Sequence, residues 1–350
     1  MHWYLKSAQP INQESVDRAL ARQQTLTKPP GSLGQLEQVA IRLCGMLGDA
    51  PMPNQPAIAV FAADHGVAEE NVSAFPQVVT GEMVRNFASG GAAICVLARA
   101  LQASLEVVHL GTVNDPGEFE NVERAVIAAS TKNMVKGPAM TSVQLDESMM
   151  AGREAVDRAV AAGCNIFIGG DMGIANTTAA AALVCAALKL RPKEVAGPGT
   201  GLNSAGVQHK ASVIDRALTL HCDHLHDPLE ILRRLGGFEI AALVGAYVAA
   251  SQQGVPAVVD GFIAASAALL AARINPGCAA WLLLSHVSAE PGFQRLQQEI
   301  ELLTQSAPML DLSMRLGEGS GAAVTLPLIQ NACRLHNEMA TFEQSGVSFL

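Results

Sequence analysis

Five short apolar runs punctuate the chain: AIAVFAAD (57–64), LEVVHLG (105–111), NIFIGG (165–170), PAVVDG (256–261) and WLLLSH (281–286). Each is continuous rather than alternating and is bounded by turn residues, the pattern of a strand buried on both faces. Helix-length stretches separate them, at 79–101, 144–162, 174–190, 238–253 and 262–274. Residues 11–25 read as a polar amphipathic helix stopped by TKPPGSLG, Gln35 to Leu47 resumes helical spacing, and Ala322 to His336 is helix-compatible. Strand–helix alternation predicts an α/β fold, a Rossmann-like parallel sheet flanked by helices with right-handed crossovers. The ends lack strand runs. Residues 1–27 and 316–350 are therefore expected to pack together as a small helical domain beside a large α/β domain spanning 28–315.

Composition narrows the function classes. A chain of 350 residues with 49% hydrophobic and 16% charged residues folds around a sizeable core. A net charge of −9 argues against a nucleic-acid surface, which needs clustered Lys and Arg. It leaves room for a small anion held locally at a helix N-terminus. Seven Cys without a CxxC pair read as reduced core residues. The opening MHWYLKSAQP has no apolar signal core, and FIAASAALLAA (262–272) is too short to span a bilayer. A cytoplasmic protein without membrane span is the expectation.

Ligands of open α/β sheets bind beyond the carboxyl ends of the strands. There the sequence places Asp64-His65-Gly66, Gly111, Gly169 to Gly173, Asp260-Gly261 and Ser285-His286, which outline one rim. GGDMGIANTTAAAAL (169–183) runs from strand into helix and offers Gly170, Asp171, Gly173, Asn176 and Thr177 to a phosphate or sugar phosphate. AGPGTGL (196–202), with Gly197, Gly199 and Gly201, is a second glycine loop, and Lys210 follows it. Neither fits the Walker or dinucleotide spacing. MRLGEGSGAA (314–323) flanks one carboxylate, Glu318, with glycines ahead of a helix. It suits either a proton acceptor beside main chain or a plain turn with Ser320 as helix cap. HCDHLHD (221–227) could ligate zinc through His221 and His224, but Asp227-Pro228 reads as the cap and first turn of a helix. Asp64, His65 and His286 lack the elbow of a serine hydrolase and read as structural or substrate-positioning.

TKPPGSLGQLE (27–37), AADHGV (62–67), GGAAICVLAR (90–99), GGDMGIANTTAAAAL, GGFEIAALVGA (236–246), VVDGFI (258–263), SHVSAEPG (285–292) and MRLGEGSGAA occur in order. Over about residues 27–338 the chain resembles nicotinate-nucleotide–dimethylbenzimidazole phosphoribosyltransferase, an enzyme family of cobalamin nucleotide-loop assembly. The resemblance implies a homodimer, each subunit a large sheet domain with a small helical domain made from both ends. It implies transfer of phosphoribose from nicotinate mononucleotide to 5,6-dimethylbenzimidazole, giving α-ribazole 5′-phosphate and nicotinate. It makes Glu318 the catalytic base, and puts Gly173, the 197–201 loop and Lys210 at the phosphate. Where described members carry Ser and Gln near the base, this chain has Phe75 and Met83. Gly170-Asp171-Met172-Gly173 stands for a GELG variant, with a shorter acid. Phe75, Met83, Met172 and Leu316 are thus the expected base-binding residues.

The chemistry of such a transfer calls for no metal and no cofactor. The leaving base is a pyridinium, so it departs by neutralising its own charge, and one carboxylate suffices to take the proton of the incoming ring. Two other readings stand beside it. One is a metal-dependent hydrolase using Asp64, His65 and the His221–His226 cluster. The other is a module that binds a nucleotide without turning it over.

Overall fold

The computed structural model describes residues 2–348. Six strands form one parallel sheet: β1 Pro56–Ala63, β2 Ser104–Gly111, β3 Val122–Arg124, β4 Ile166–Met172, β5 Ala257–Val259 and β6 Leu282–Leu284, in the order β3-β2-β1-β4-β5-β6. Successive residues of a strand point to opposite faces, and β1 divides accordingly. Ala57, Ala59 and Phe61 pack with the helices Ser142–Ala161, Asn176–Leu188, Phe238–Gln253 and Phe262–Ile274. Ile58, Val60 and Ala62 pack with Gln35–Leu47, Val78–Ala88, Ala93–Leu101 and Ser320–Glu338. Two buried faces explain why the strands read as unbroken apolar runs. Ser142–Ala161 and Phe238–Gln253 touch almost backbone to backbone. A Cβ on Gly152 would lie 2.7 Å from the Ala242 carbonyl carbon, and one on Gly245 would lie 2.7 Å from that of Met149.

The terminal segments meet. Ala19 packs with Ile41 and Cys44, while the Arg22 guanidinium donates to the carbonyls of His336 (2.7 Å) and Asn337 (3.0 Å). An antiparallel bridge joins Leu26 to Thr341. The helix Ser320–Glu338 also buries Ala322, Leu326 and Ile329 in the core against the sheet.

The α/β fold and all five expected strands are present. Four local differences have physical causes. The stretch 79–101 is two helices, because Gly90 (φ +78°) and Gly91 interrupt it. β3 was not legible, since two of its three residues are exposed at the sheet edge. β4 runs on through Gly170 to Met172 instead of ending at the glycines. The helices Ser204–His221 and Phe293–Thr304 were not anticipated. Asp227 does cap the helix Pro228–Leu235, accepting from Leu229 N–H at 3.0 Å. Among the described residues no helix is long and apolar enough to cross a membrane.

The strand order reverses between β1 and β4, the switch point where open α/β sheets leave a crevice. Ala62 pairs with Met172, so Ala63 and Gly173 emerge side by side at that crevice.

Candidate active site

A cleft of about 310 Å³ opens beyond the carboxyl ends of β4, β5 and β6, within the usual size range for small-molecule sites. Asp171, Met172, Gly173, Asn176 and Thr177 enter it from β4 and the following helix. Asp260 and Gly261 enter after β5, His286 and Ser288 after β6, and Arg315 to Gly317 from the glycine-flanked segment. Gly199 and Thr200 close one side, and Phe75 and Leu316 stand at the mouth, each more than half exposed. Gly170, Gly197, Gly201, Lys210 and Met83 are not on the wall, and neither is Glu318, which is buried behind its lining neighbours Gly317 and Ser320.

Gly170 lies beneath the Glu318 loop. A Cβ there would meet the Glu318 carbonyl and come within 2.8 Å of Gly319 N. Gly317, Glu318 and Gly319 are all left-handed (φ +87°, +64°, +83°), a conformation costly for Glu, so the loop holds Glu318 under backbone strain. The Glu318 N–H donates to the Asp171 carbonyl at 3.2 Å. Its carboxylate turns inward and accepts from Ile94 N–H at 3.2 Å, at the start of the helix Ala93–Leu101. Burial pushes the Glu318 carboxyl above its ordinary value, the Ile94 amide pulls it back, and the charge of Asp260 pushes it up again. Ser320 is not the cap. Its hydroxyl bonds the Gly317 carbonyl, Gly319 takes the cap position, and Asp260 reaches from the end of β5 to accept from Ala322 N–H at 2.9 Å.

One side of the cleft is built largely from main chain. No side chain caps the helix Asn176–Leu188, whose N-terminus faces the cleft through Asn176 and Thr177. Asn176 Nδ2 donates to Asp171 at 2.9 Å, and burial drives the Asp171 carboxyl well above its ordinary value. Behind the 197–201 loop, Lys210 donates to the Gly197 carbonyl (3.0 Å) and Thr177 Oγ1 (3.1 Å). Burial lowers its pKa to about 8, against the pull of Glu290. Gly199 is left-handed (φ +51°), and a Cβ on it would lie 3.0 Å from Lys210 Nζ. Three hydrogen bonds bind this loop to its neighbours: Arg315 donates to the Gly199 carbonyl (2.8 Å), and Thr200 Oγ1 meets Ser73 Oγ (3.1 Å) and Ala74 N–H (3.0 Å).

His65 is a prop rather than a wall residue. Its Nε2 is 2.5 Å from Glu239, both are buried, and the pair packs behind Gly173. His221 bonds the Met134 carbonyl (2.9 Å) and Arg234 (3.3 Å). Among the described residues no group of three or more His, Cys, Asp or Glu converges as a metal ligand set. His65 and His221, two residues of the hydrolase reading, thus pair with Glu239 and with Met134 and Arg234. Met83 packs against the core from the helix Val78–Ala88. Arg315, Thr200, Ser288, Glu290 and Glu239 went unrecognised in the sequence. Of these, Arg315 and Glu290 carried a signal, since each is a charge next to a site motif.

The fold and cleft define an α/β protein with an uncapped helix N-terminus and a glycine loop at a crevice beside three buried acids, Asp171, Asp260 and Glu318. A family model described as phosphoribosyltransferase matches residues 8–347. The nicotinate-nucleotide–dimethylbenzimidazole phosphoribosyltransferase of Pseudomonas putida is 54% identical over 347 residues, 99% of this chain and 98% of that one. That of Xanthomonas euvesicatoria is 58% identical over 331 residues, 94% of each chain. The crystal structure of the Thermus thermophilus protein of the same name superposes with a TM-score of 0.90 at 40% identity, over 97% of this chain and 100% of that one. The chain belongs to the nicotinate-nucleotide–dimethylbenzimidazole phosphoribosyltransferase family and is a pentosyltransferase.

Proposed function

We propose that the protein transfers phosphoribose from nicotinate mononucleotide to 5,6-dimethylbenzimidazole or a related lower-ligand base in cobalamin biosynthesis. Nicotinate is released and α-ribazole 5′-phosphate forms with inversion at C1′. The observation that carries this reading is Glu318, a buried carboxylate held by a strained loop just behind the cleft-lining residues Gly317 and Ser320, with Asp171 and Asp260 as its acidic neighbours. The acceptor nitrogen attacks C1′ opposite the departing pyridine, which inverts that centre. As positive charge grows on the benzimidazole, its remaining N–H becomes acidic and Glu318 takes the proton. Phe75, Met172 and Leu316 supply an apolar wall for the acceptor ring, with Met83 behind them. The 197–201 loop through Gly199 and Thr200, and the helix start at Asn176 and Thr177, hold the 5′-phosphate and thereby orient C1′, with Gly197, Gly201 and Lys210 bracing them from behind and Lys210 adding its charge.

The terminal helices form a small helical lobe on this reading, and the working unit is a cytoplasmic homodimer. The test mixes purified protein, nicotinate mononucleotide and dimethylbenzimidazole, then follows nicotinate release and the anomeric proton of the product. Acceptor-dependent release with an α product is expected. Binding without release would leave a non-catalytic nucleotide module.

Lys210 adds a pH signature. From behind the 197–201 loop its ammonium braces the Gly197 carbonyl and Thr177 and adds positive charge near the phosphate, and burial brings its pKa down to about 8. Below that value the KM for nicotinate mononucleotide should be flat, and above it KM should rise by roughly tenfold per pH unit. Lys210→Met should raise KM and abolish the inflection. An unchanged inflection in that variant would remove Lys210 from the phosphate site.

A further inference from the structure

The cleft wall after β6 carries a hydrogen-bond acceptor that neither the proton transfer nor the phosphate uses. Ser285 Oγ donates its proton to the Val259 carbonyl at 2.6 Å, so towards His286 it acts only as acceptor. His286 Nδ1 stands 3.0 Å from that oxygen and must carry the hydrogen. With the hydrogen on Nδ1, the neutral tautomer of this ring has its acceptor lone pair at Nε2. His286 lines the cleft. Its Nε2 has no hydrogen-bond partner among the described residues and is not among the sealed, unpartnered polar atoms. The ring cannot turn away. Gly321 packs against its edge, where a Cβ would lie 2.8 Å from Nε2, and the Asp260 carboxylate stands 3.9 Å from Nδ1.

The surroundings select the group that meets Nε2. Asp171 and Asp260 share the same wall and add carboxylate oxygens, and Ser288 lies nearby. A ring nitrogen that accepts pairs with a hydroxyl donor, and not with the oxygens of an ionised phosphate or pyridine carboxylate, which themselves only accept. In a mononucleotide the ribose diol alone offers free hydroxyls.

We infer that His286 Nε2 accepts a hydrogen bond from a ribose hydroxyl of the phosphoribosyl donor, and so makes the enzyme select ribose over deoxyribose. This rests on the transferase reading above and assigns His286 a specificity role within it. A site built to pair a hydroxyl rejects the analogue lacking it, because its own polar groups are left unpaired.

The test measures kcat/KM for nicotinate mononucleotide and for its 2′-deoxy and 3′-deoxy analogues, in the wild type, His286→Asn and His286→Gln. Asn keeps a donor where Nδ1 stands, so the bond to Ser285 and the fold are retained while the outward acceptor is lost. Gln puts an amide oxygen near the position of Nε2. The wild type should disfavour one deoxy analogue on the order of 10- to 100-fold. In His286→Asn that preference should fall to about threefold or less, through loss of activity on the ribonucleotide, and in His286→Gln much of it should persist. A preference in His286→Asn equal to that of the wild type would overturn the assignment, as would a wild type indifferent to both deoxy analogues. Absence of nicotinate release by the wild type from the ribonucleotide itself would instead strike the transferase reading, and this inference with it.

Discussion

Glu318→Gln is expected to lower turnover on the order of 10³-fold, the middle of the range for a general base. Its affinity for nicotinate mononucleotide should stay within about threefold of wild type, since general-base catalysis acts on the transition state. The structural cost is small by comparison. The carboxylate's one backbone bond, from Ile94 N–H, can be kept by the amide oxygen of Gln, and such a bond contributes about 1 kcal/mol. A thousandfold loss corresponds to ~4 kcal/mol of barrier, more than any plausible shift in that bond. Nicotinate release measured beside calorimetric binding separates the two effects. A Gln variant within about tenfold of wild-type turnover would move the role of base to another residue.

Gly170→Ala should be almost as damaging without touching any reacting atom. The added methyl would press on the Glu318 carbonyl and the Gly319 nitrogen. Residues 317–319 are already left-handed and have little conformational room to yield. Overpacking of this kind costs roughly 1–3 kcal/mol, so Tm should drop by several degrees. Displacing the carboxylate by even ~1 Å should lower kcat on the order of 10²-fold. Gly137→Ala is the matched control, because nothing lies within 4 Å of its would-be Cβ. Thermal melts and turnover of the two variants check the claim. Wild-type kcat in Gly170→Ala would mean that the loop does not position the base.

The sheet was legible because every central strand is buried on both faces and therefore reads as a continuous apolar run. What was lost had less burial to report. β3 hides one residue of three, and the Gly90-Gly91 break falls inside a run whose apolar spacing continues on either side. The two unanticipated helices did carry a signal: Lys210, Val213, Ile214, Ala217 and His221 are buried at helical spacing, as are Phe293, Leu296, Ile300 and Thr304. A buried Lys and a His within the first set obscured its apolar stripe. At the site, the rim residues Asp171, Asp260 and His286 were visible because each follows an apolar run. Their partnerships were not. That Asp260 caps the helix after Glu318, that Glu239 backs His65, and that Arg315 reaches Gly199 depend on contacts 62, 174 and 116 residues apart in sequence.

The pH dependence of the single-turnover rate, in wild type and in Glu318→Gln, bears most directly on whether Glu318 is the proton acceptor. Burial raises its carboxyl above the ordinary value for Glu, and a base works only when ionised, so the wild-type rate should fall on the acid side with a midpoint above that of an ordinary Glu. The Gln variant should show a low rate without that acid limb. An acid limb of the same midpoint in both proteins would contradict the assignment of Glu318 as the base.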